Sequence, residues 1–336
     1  MAEEPIHVVV ALDFSDEIMD QLRAVSPRLH IERHFPKVPD SAWADAEILY
    51  TVRELPDPDQ APRLRWIQAH TAGINHLLHS PIMQAEDVEI TTASGIHAVP
   101  IAEYCLSMML AFAYRLPTLR GYQERADWPA NSWDFKTQTL RGQTLGIVGY
   151  GSIGRELARL ADAMGMVVVA TKRDLKQISA EGEYIEAGLG DETGDIPTRL
   201  YPPEALASMV KVCDFVVLTL PLTDSTRHIV NEDILSAMKK TAVLVNVSRG
   251  GVVDEAALIS ALAAEKIAGA GLDVFETEPL PATSPLWQLD QVVITPHISG
   301  NNGRIHEKAA ALFAENLQRY LDNEPLLNQF DRQRGY

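Results

Sequence analysis

The stretch LGIVGYGSIGRELARLADAMGMVVVATKRD, residues 145–174, leaves this 336-residue chain few folds to choose from. An apolar run, Leu145–Val148, ends in a turn carrying Gly149, Gly151 and Gly154 in the spacing G-x-G-x-x-G. A helical pattern follows to about Met164, where Gly165 can stop it, and a second apolar run, Val167–Ala170, completes the unit. Each glycine has a separate job: a tight turn, backbone access to a pyrophosphate, and close contact of helix with strand. The helix N-terminus then offers N–H groups and positive dipole to an anion. Three spaced glycines alone say little; inside a complete strand–turn–helix–strand they specify a dinucleotide site. Gly149, Gly151, Ser152, Ile153 and Gly154 are its expected contacts.

The end of the second strand bears on the cofactor's phosphate state. An NAD site wants a carboxylate there for the ribose hydroxyls. This chain has Thr171, Lys172 and Arg173, with Asp174 only afterwards. Lys172 and Arg173 suit a 2′-phosphate, the arginine as a bidentate fork. The expectation is NADP(H), with NAD as the weaker alternative in which Asp174 reaches back and the two cations are solvated.

The same texture recurs along the chain. IHVVVALDF, AEILYTV, LRWIQAH and VEITTAS precede the dinucleotide unit; CDFVVLTL, TAVLVNVS, GAGLDVF and QVVITPH follow it. Continuous Val/Ile/Leu runs between helical patterns signify parallel strands buried on both faces. The expected architecture is doubly wound α/β, twice over, in a chain whose length suits about two domains. Residues 174–206 differ, being acidic and rich in Gly and Pro. They read as a surface insertion before a helix starting near Pro203, either a solvated excursion or a segment touching the 2′-phosphate.

A formal net charge of −17 argues against nucleic-acid and membrane-surface partners. Cys105 and Cys213 are too few for a disulfide framework and read as buried thiols of a reducing compartment. The acidic start MAEEPIHVVVALDF lacks the features of a signal peptide, so the expected location is cytoplasmic. The most apolar helix, expected over Ile101–Leu116, carries Glu103 and Arg115 and falls short of the ~18 apolar residues of a membrane span. Burial between domains or subunits is the better account of it.

Polar residues cluster where the strands after the dinucleotide turn should end: Arg249 before a glycine pair, Asp273 and Glu278 in GLDVFETEPL, and His297 in TPHISG. Together with GYGSIG, LPLTDST and VNVSRGGVVDE, in that order along nearly the whole chain, these segments resemble the D-isomer-specific 2-hydroxyacid dehydrogenase family. The resemblance implies a Rossmann nucleotide-binding domain, residues 100–300, inserted into a flavodoxin-like catalytic domain made of residues 1–99 plus 301–336. It maps the family's catalytic Arg, Glu and His onto Arg249, Glu278 and His297. His297 would donate a proton to the carbonyl oxygen of a 2-keto acid, Glu278 would brace the imidazole, and Arg249 would bind the substrate carboxylate and polarise the carbonyl. Asp273 resembles the residue that fixes the nicotinamide carboxamide, the other reading being a helix cap. Leu220 and Pro221 fall in the cofactor-contacting LPLT segment, where Thr219 departs from the His of many members.

AHTAGINHL resembles the family's carboxylate loop, with Ala72 and Gly73 offering N–H groups to the substrate. Val52 and Arg53, at a strand end, are further candidate substrate contacts, Arg53 being equally a solvated charge. His70 and His76 flank the loop with no thiolate or carboxylate cluster beside them, so no metal is expected. In the family the segment around Gly95 and Pro100 is the hinge and the helix after it lies in a homodimer interface; a second crossing near residue 300 completes the hinge. Expected partners are thus a small 2-keto or 2-hydroxy acid and a second copy of the chain. A dinucleotide-sensing corepressor-like binding protein on the same fold is the alternative to an enzyme. Which acid is used is left open.

Overall fold

Apolar runs need cover on both faces, and two all-parallel sheets provide it in the computed structural model, which describes residues 4–333 and 335. The first sheet holds β1 (Ile6–Ala11), β2 (Leu29–Arg33), β3 (Ile48–Thr51), β4 (Trp66–Ala69) and β5 (Glu89–Thr91) in the order β2-β1-β3-β4-β5. The second holds β6 (Thr144–Val148), β7 (Val167–Thr171), β8 (Arg199–Tyr201), β9 (Phe215–Leu218), β10 (Val243–Asn246), β11 (Gly269–Leu272) and β12 (Val292–Ile294). Its order is β12-β11-β10-β9-β6-β7-β8. These are the flavodoxin-like and the dinucleotide-binding doubly wound arrangements.

Alternate residues of each strand enter opposite cores. In the second sheet Leu145, Ile147, Phe215, Val217, Val243 and Val245 join one apolar cluster, while Val148, Val216, Leu218 and Leu244 join the other. The first sheet divides likewise, with Val9, Leu49 and Ile67 against Val8, Val10, Ile48 and Trp66. Burial on both faces is why these strands lack polar alternation.

The chain divides into two compact units. One comprises the chain through Ile96, the short piece Gly182–Tyr184, and the chain from Asn302; the other comprises His97–Glu181 and Ile185–Asn301. The helix Ile305–Leu321 belongs to the first unit and buries Phe313 and Leu317 with Val8, Val10 and Trp66. At the start of the second unit, His97 Nδ1 lies 3.1 Å from the Gly300 carbonyl near its end.

The apolar helix runs from Ala98 to Ala113, ending short of Leu116. Pro117 explains the difference, because its ring would meet the carbonyl of residue 113 in a continuous helix. Arg115 instead takes a left-handed φ of 56°, and a second helix, Leu116–Glu124, departs at 66°. Ile101, Ala102, Cys105, Met109 and Ala113 are buried in the cluster that holds Leu157, Ala158 and Ala161 of the helix Ser152–Ala163. Among the described residues, no single helix is long and apolar enough to cross a membrane. Both cysteines are buried, and burial pushes both thiols up, Cys213 to about 12.

Segment 174–206 is no solvated excursion. Arg155, fully buried in the first turns of the helix Ser152–Ala163, donates to the carbonyls of Asp191 (2.5 Å) and Ile178 (2.6 Å). Tyr150, inside the glycine turn, donates to Asp191 Oδ2 at 2.5 Å, and Glu156 accepts from Gly190 N at 2.7 Å. The Asp191 carboxylate also accepts from the backbone N–H groups of Gly194, Asp195 and Ile196. These buried polar groups need partners, and the segment supplies them; it also contributes β8.

Candidate active site

The order of the second sheet reverses between β6 and β9, and ligands of such sheets bind beyond the strand ends at that point. The glycine turn stands there, and its three positions behave differently. Gly149 has φ 107°, and a β-carbon on it would lie 2.8 Å from Leu220. A β-carbon on Gly154 would lie 2.5 Å from the Gly149 carbonyl oxygen, so helix and turn touch through backbone. On Gly151 it would meet no protein atom within 4 Å. The middle glycine therefore leaves an open approach to backbone at the N-terminus of the helix Ser152–Ala163, which begins with Ser152 and Ile153. A pyrophosphate fits that cradle.

Two threonines brace the turn. Thr171 Oγ1 accepts from Gly149 N at 3.0 Å, and Thr219 Oγ1 donates to Gly149 O at 2.6 Å. Lys172 and Arg173 directly follow β7, beside the turn's own strand. Leu220 lies against Gly149, and the Pro221 carbonyl accepts from Thr226 Oγ1 at 2.7 Å.

The other corner is built on β10, β11 and β12, whose last residues are in register: Asn246 with Leu272, and Leu272 with Ile294. Neighbouring strands lie about 4.8 Å apart, so Arg249, Asp273 and His297 emerge at one corner of the sheet. Gly250 holds two of the loops together. A β-carbon there would fall 1.8 Å from the Phe275 carbonyl carbon, so no other residue permits this approach. Arg249 extends its exposed guanidinium from this point, with Nη1 donating to Ser248 O at 2.7 Å.

Glu278 Oε1 accepts from Phe275 N at 3.0 Å, and Oε2 lies 2.8 Å from His297 Nδ1. An ionised carboxylate only accepts, so Nδ1 carries a proton and Nε2 is the ring nitrogen left without a role in this contact. His297 adopts φ 53°, a left-handed conformation uncommon for a residue with a β-carbon. Asp273, fully buried, holds the loop in that shape: Oδ1 accepts from Thr295 Oγ1 (2.6 Å) and Ile298 N (2.8 Å), and Oδ2 from Ser299 N (2.9 Å). Burial by itself would raise the Asp273 pKa. Hydrogen bonds from Ser299, Thr295 and the Ile298 N–H outweigh it and hold the group below its ordinary value. The side chain that sequence reading assigns to the carboxamide is thus engaged with the histidine loop.

The remaining candidates stand at strand ends of the first unit. Val52 follows β3, and its carbonyl accepts from His76 Nε2 at 2.9 Å; Arg53 is exposed. Ala72 is exposed and Gly73 half-buried in the loop after β4, where Thr71 Oγ1 donates to Gly73 O at 2.9 Å. His70 Nδ1 lies 2.5 Å from Tyr50 Oη, and its ring stacks on His306 at 5.3 Å. Sequence reading missed Thr171, Thr295 and Tyr104 as site-bracing residues and noted Thr219 only as a departure. One signal was present: an apolar run that closes on threonine at its ligand end, as in VVVAT, FVVLT and VVIT.

Residues 106–299 match the family model described as D-isomer specific 2-hydroxyacid dehydrogenase, NAD binding domain. A glyoxylate reductase of Pyrococcus furiosus is 37% identical over 272 residues, spanning 77% of this chain and 73% of its own. One from Korarchaeum cryptofilum is 36% identical over 264 residues, 77% of this chain and 74% of its own. Among solved structures, a D-isomer specific 2-hydroxyacid dehydrogenase from Xanthobacter autotrophicus Py2, in complex with NADPH and MES, superposes with a TM-score of 0.79 at 29% identity. That alignment covers 99% of this chain and 100% of the other.

Proposed function

The chain belongs to the D-isomer specific 2-hydroxyacid dehydrogenase family, and we propose that it reduces small 2-keto acids, glyoxylate first among them, using NADPH in preference to NADH. As a 2-hydroxyacid dehydrogenase it is an oxidoreductase with a nicotinamide dinucleotide cofactor. The observation that carries the reading of His297 as proton donor in keto-acid reduction is its 2.8 Å contact, Nδ1 to Glu278 Oε2, at the corner from which Arg249 also emerges.

When bound, the reduced nicotinamide supplies hydride for the carbonyl carbon of the substrate. His297 gives its Nε2 proton to the carbonyl oxygen, and Glu278 stabilises the ring while it is charged and fixes its orientation. Arg249 pairs with the substrate carboxylate and stabilises negative charge growing on the carbonyl oxygen. The first unit's candidate substrate contacts are the N–H groups of Ala72 and Gly73, with Val52 and Arg53. In the reverse direction the neutral His297 is the base. Gly149, Gly151, Ser152, Ile153 and Gly154 hold the pyrophosphate, and Leu220 and Pro221 pack beside it. Lys172 and Arg173 pair with the 2′-phosphate, a reading supported by the NADPH complex of the Xanthobacter relative. The chain acts as a homodimer through its nucleotide-binding domain, with the apolar helix Ala98–Ala113 in the interface and, after it, Trp128 and Trp133, which are 90% and 87% exposed; a monomer in sedimentation would remove that part.

Purified protein is tested with a panel of 2-keto acids, following oxidation of NADPH and of NADH. The expected result is turnover of glyoxylate with a higher kcat/KM for NADPH. Dinucleotide binding without turnover of any keto acid sinks the reductase; equal kcat/KM for both cofactors sinks the preference.

A further inference from the structure

We infer that Tyr104 and Thr295 are positioning residues for the catalytic imidazole, forming with Asp273 a directed hydrogen-bond chain that fixes the loop carrying His297. The inference rests on the reading of His297 as proton donor. Tyr104 lies in the middle of the apolar helix Ala98–Ala113, 191 residues before Thr295, and its hydroxyl is 2.6 Å from Thr295 Oγ1. The chemistry of each member sets the direction. Asp273, held below the ordinary carboxylate range, only accepts at neutral pH. Thr295 has one hydroxyl proton and gives it to Asp273 Oδ1 at 2.6 Å. The donor between Tyr104 and Thr295 is therefore Tyr104. Burial pushes its phenol up to about 12, so it keeps that proton through the neutral range.

The far end of the chain is the catalytic loop itself. Asp273 takes three successive backbone N–H groups: His297 on its carbonyl oxygen at 2.9 Å, Ile298 on Oδ1 and Ser299 on Oδ2. Three bonds to one residue hold His297 at φ 53°, a conformation that persists only where its surroundings over-determine it. Without the threonine proton, Asp273 loses one of the contacts that orient its carboxylate towards those N–H groups. Without the phenol, Thr295 loses the partner that fixes its hydroxyl rotor. Glu278 sets the ring of His297; the Tyr104–Thr295–Asp273 chain sets the backbone from which that ring projects. None of the three needs to touch substrate to act in this way.

The test compares wild type with His297→Ala, Tyr104→Phe, Thr295→Val, Thr295→Ser and the Tyr104→Phe/Thr295→Val double variant, using saturating glyoxylate and NADPH varied up to saturation. Amide hydrogen exchange of Ile298 and Ser299 is followed in the same proteins without ligands. Tyr104→Phe and Thr295→Val are expected to lower kcat roughly ten- to a hundredfold, the scale on which small misplacements act. The KM for NADPH should stay within about twofold, because the loss lies after binding. Thr295→Ser, which keeps the hydroxyl, should restore most of the rate, and exchange at Ile298 and Ser299 should quicken in Thr295→Val. Links in series are non-additive, so the double variant should be no slower than Thr295→Val alone. Unchanged kcat in Tyr104→Phe and Thr295→Val beside an inactive His297→Ala removes the chain and leaves the proton donor standing. Thr295→Ser as slow as Thr295→Val also overturns the inference. A His297→Ala protein as fast as wild type removes the proton donor and this inference with it.

Discussion

The glycine turn after β6 and the corner after β10–β12 share one edge of one sheet, yet they are made in opposite ways. The turn works by leaving side chains out: Gly151 has nothing within 4 Å of a would-be β-carbon, and no side chain caps the helix that starts there. The corner works by chaining side chains together, from Tyr104 through Thr295 to Asp273, and from Glu278 to His297. A binding surface for phosphate needs only an open, positive backbone. Proton transfer needs one atom held in one place, so each contributor must itself be held.

The two regions are expected to fail separately. The largest effect is expected from His297→Ala, which should lower kcat by about a hundred- to ten-thousandfold while NADPH titration stays as in wild type. Weakened NADPH binding in that variant would break the comparison. Lys172→Ala with Arg173→Ala should act in the converse sense. NADPH binding should fall roughly ten- to a hundredfold relative to NADH, the worth of a charge-assisted pair, with kcat at saturation little changed. Equal losses for both cofactors would separate these cations from the 2′-phosphate.

The glycines sharpen the contrast further. Gly154→Ala forces a β-carbon against the Gly149 carbonyl and should destabilise by about 1–3 kcal/mol, as overpacking does, read as a lowered Tm. Gly151→Ala should leave Tm unchanged and weaken dinucleotide binding alone. A lowered Tm in Gly151→Ala would show that the open side is not open.

The smallest expected effect is a pH dependence of stability. Asp273 has a native pKa below its ordinary 3.8. Its contribution is therefore complete above that value and is lost as pH falls through the native one. Tm should fall more steeply below about pH 4 in wild type than in Asp273→Asn. Parallel curves would mean the carboxylate is not favoured by its hydrogen bonds.

The two regions also differed in how legible they were. GYGSIG is a six-residue pattern whose parts act on one another locally, and its three glycines could be given separate roles from sequence. Arg249, Glu278 and His297 could be named, but their bracing could not, since Tyr104 and Thr295 are 191 residues apart. Two edge strands escaped as well. Of the four edge strands, β2 and β8 read LHIER and RLY and lack the apolar run that marked the ten other strands, the edge strands β5 and β12 among them. The insertion was misjudged for a related reason. Its glycines and acids look solvated, yet Asp191 and Gly190 face buried Tyr150, Arg155 and Glu156 of another segment.

By itself, the sequence determined the parallel α/β architecture and the glycine turn between strand and helix. Those depend on periodicity and glycine placement, which are properties of short segments. Only the tertiary structure decided which carboxylate holds the histidine loop and what residues 174–206 are tied to. A buried polar group must find its partner wherever the fold brings one near, and nothing in its own neighbourhood of the chain says which residue that is.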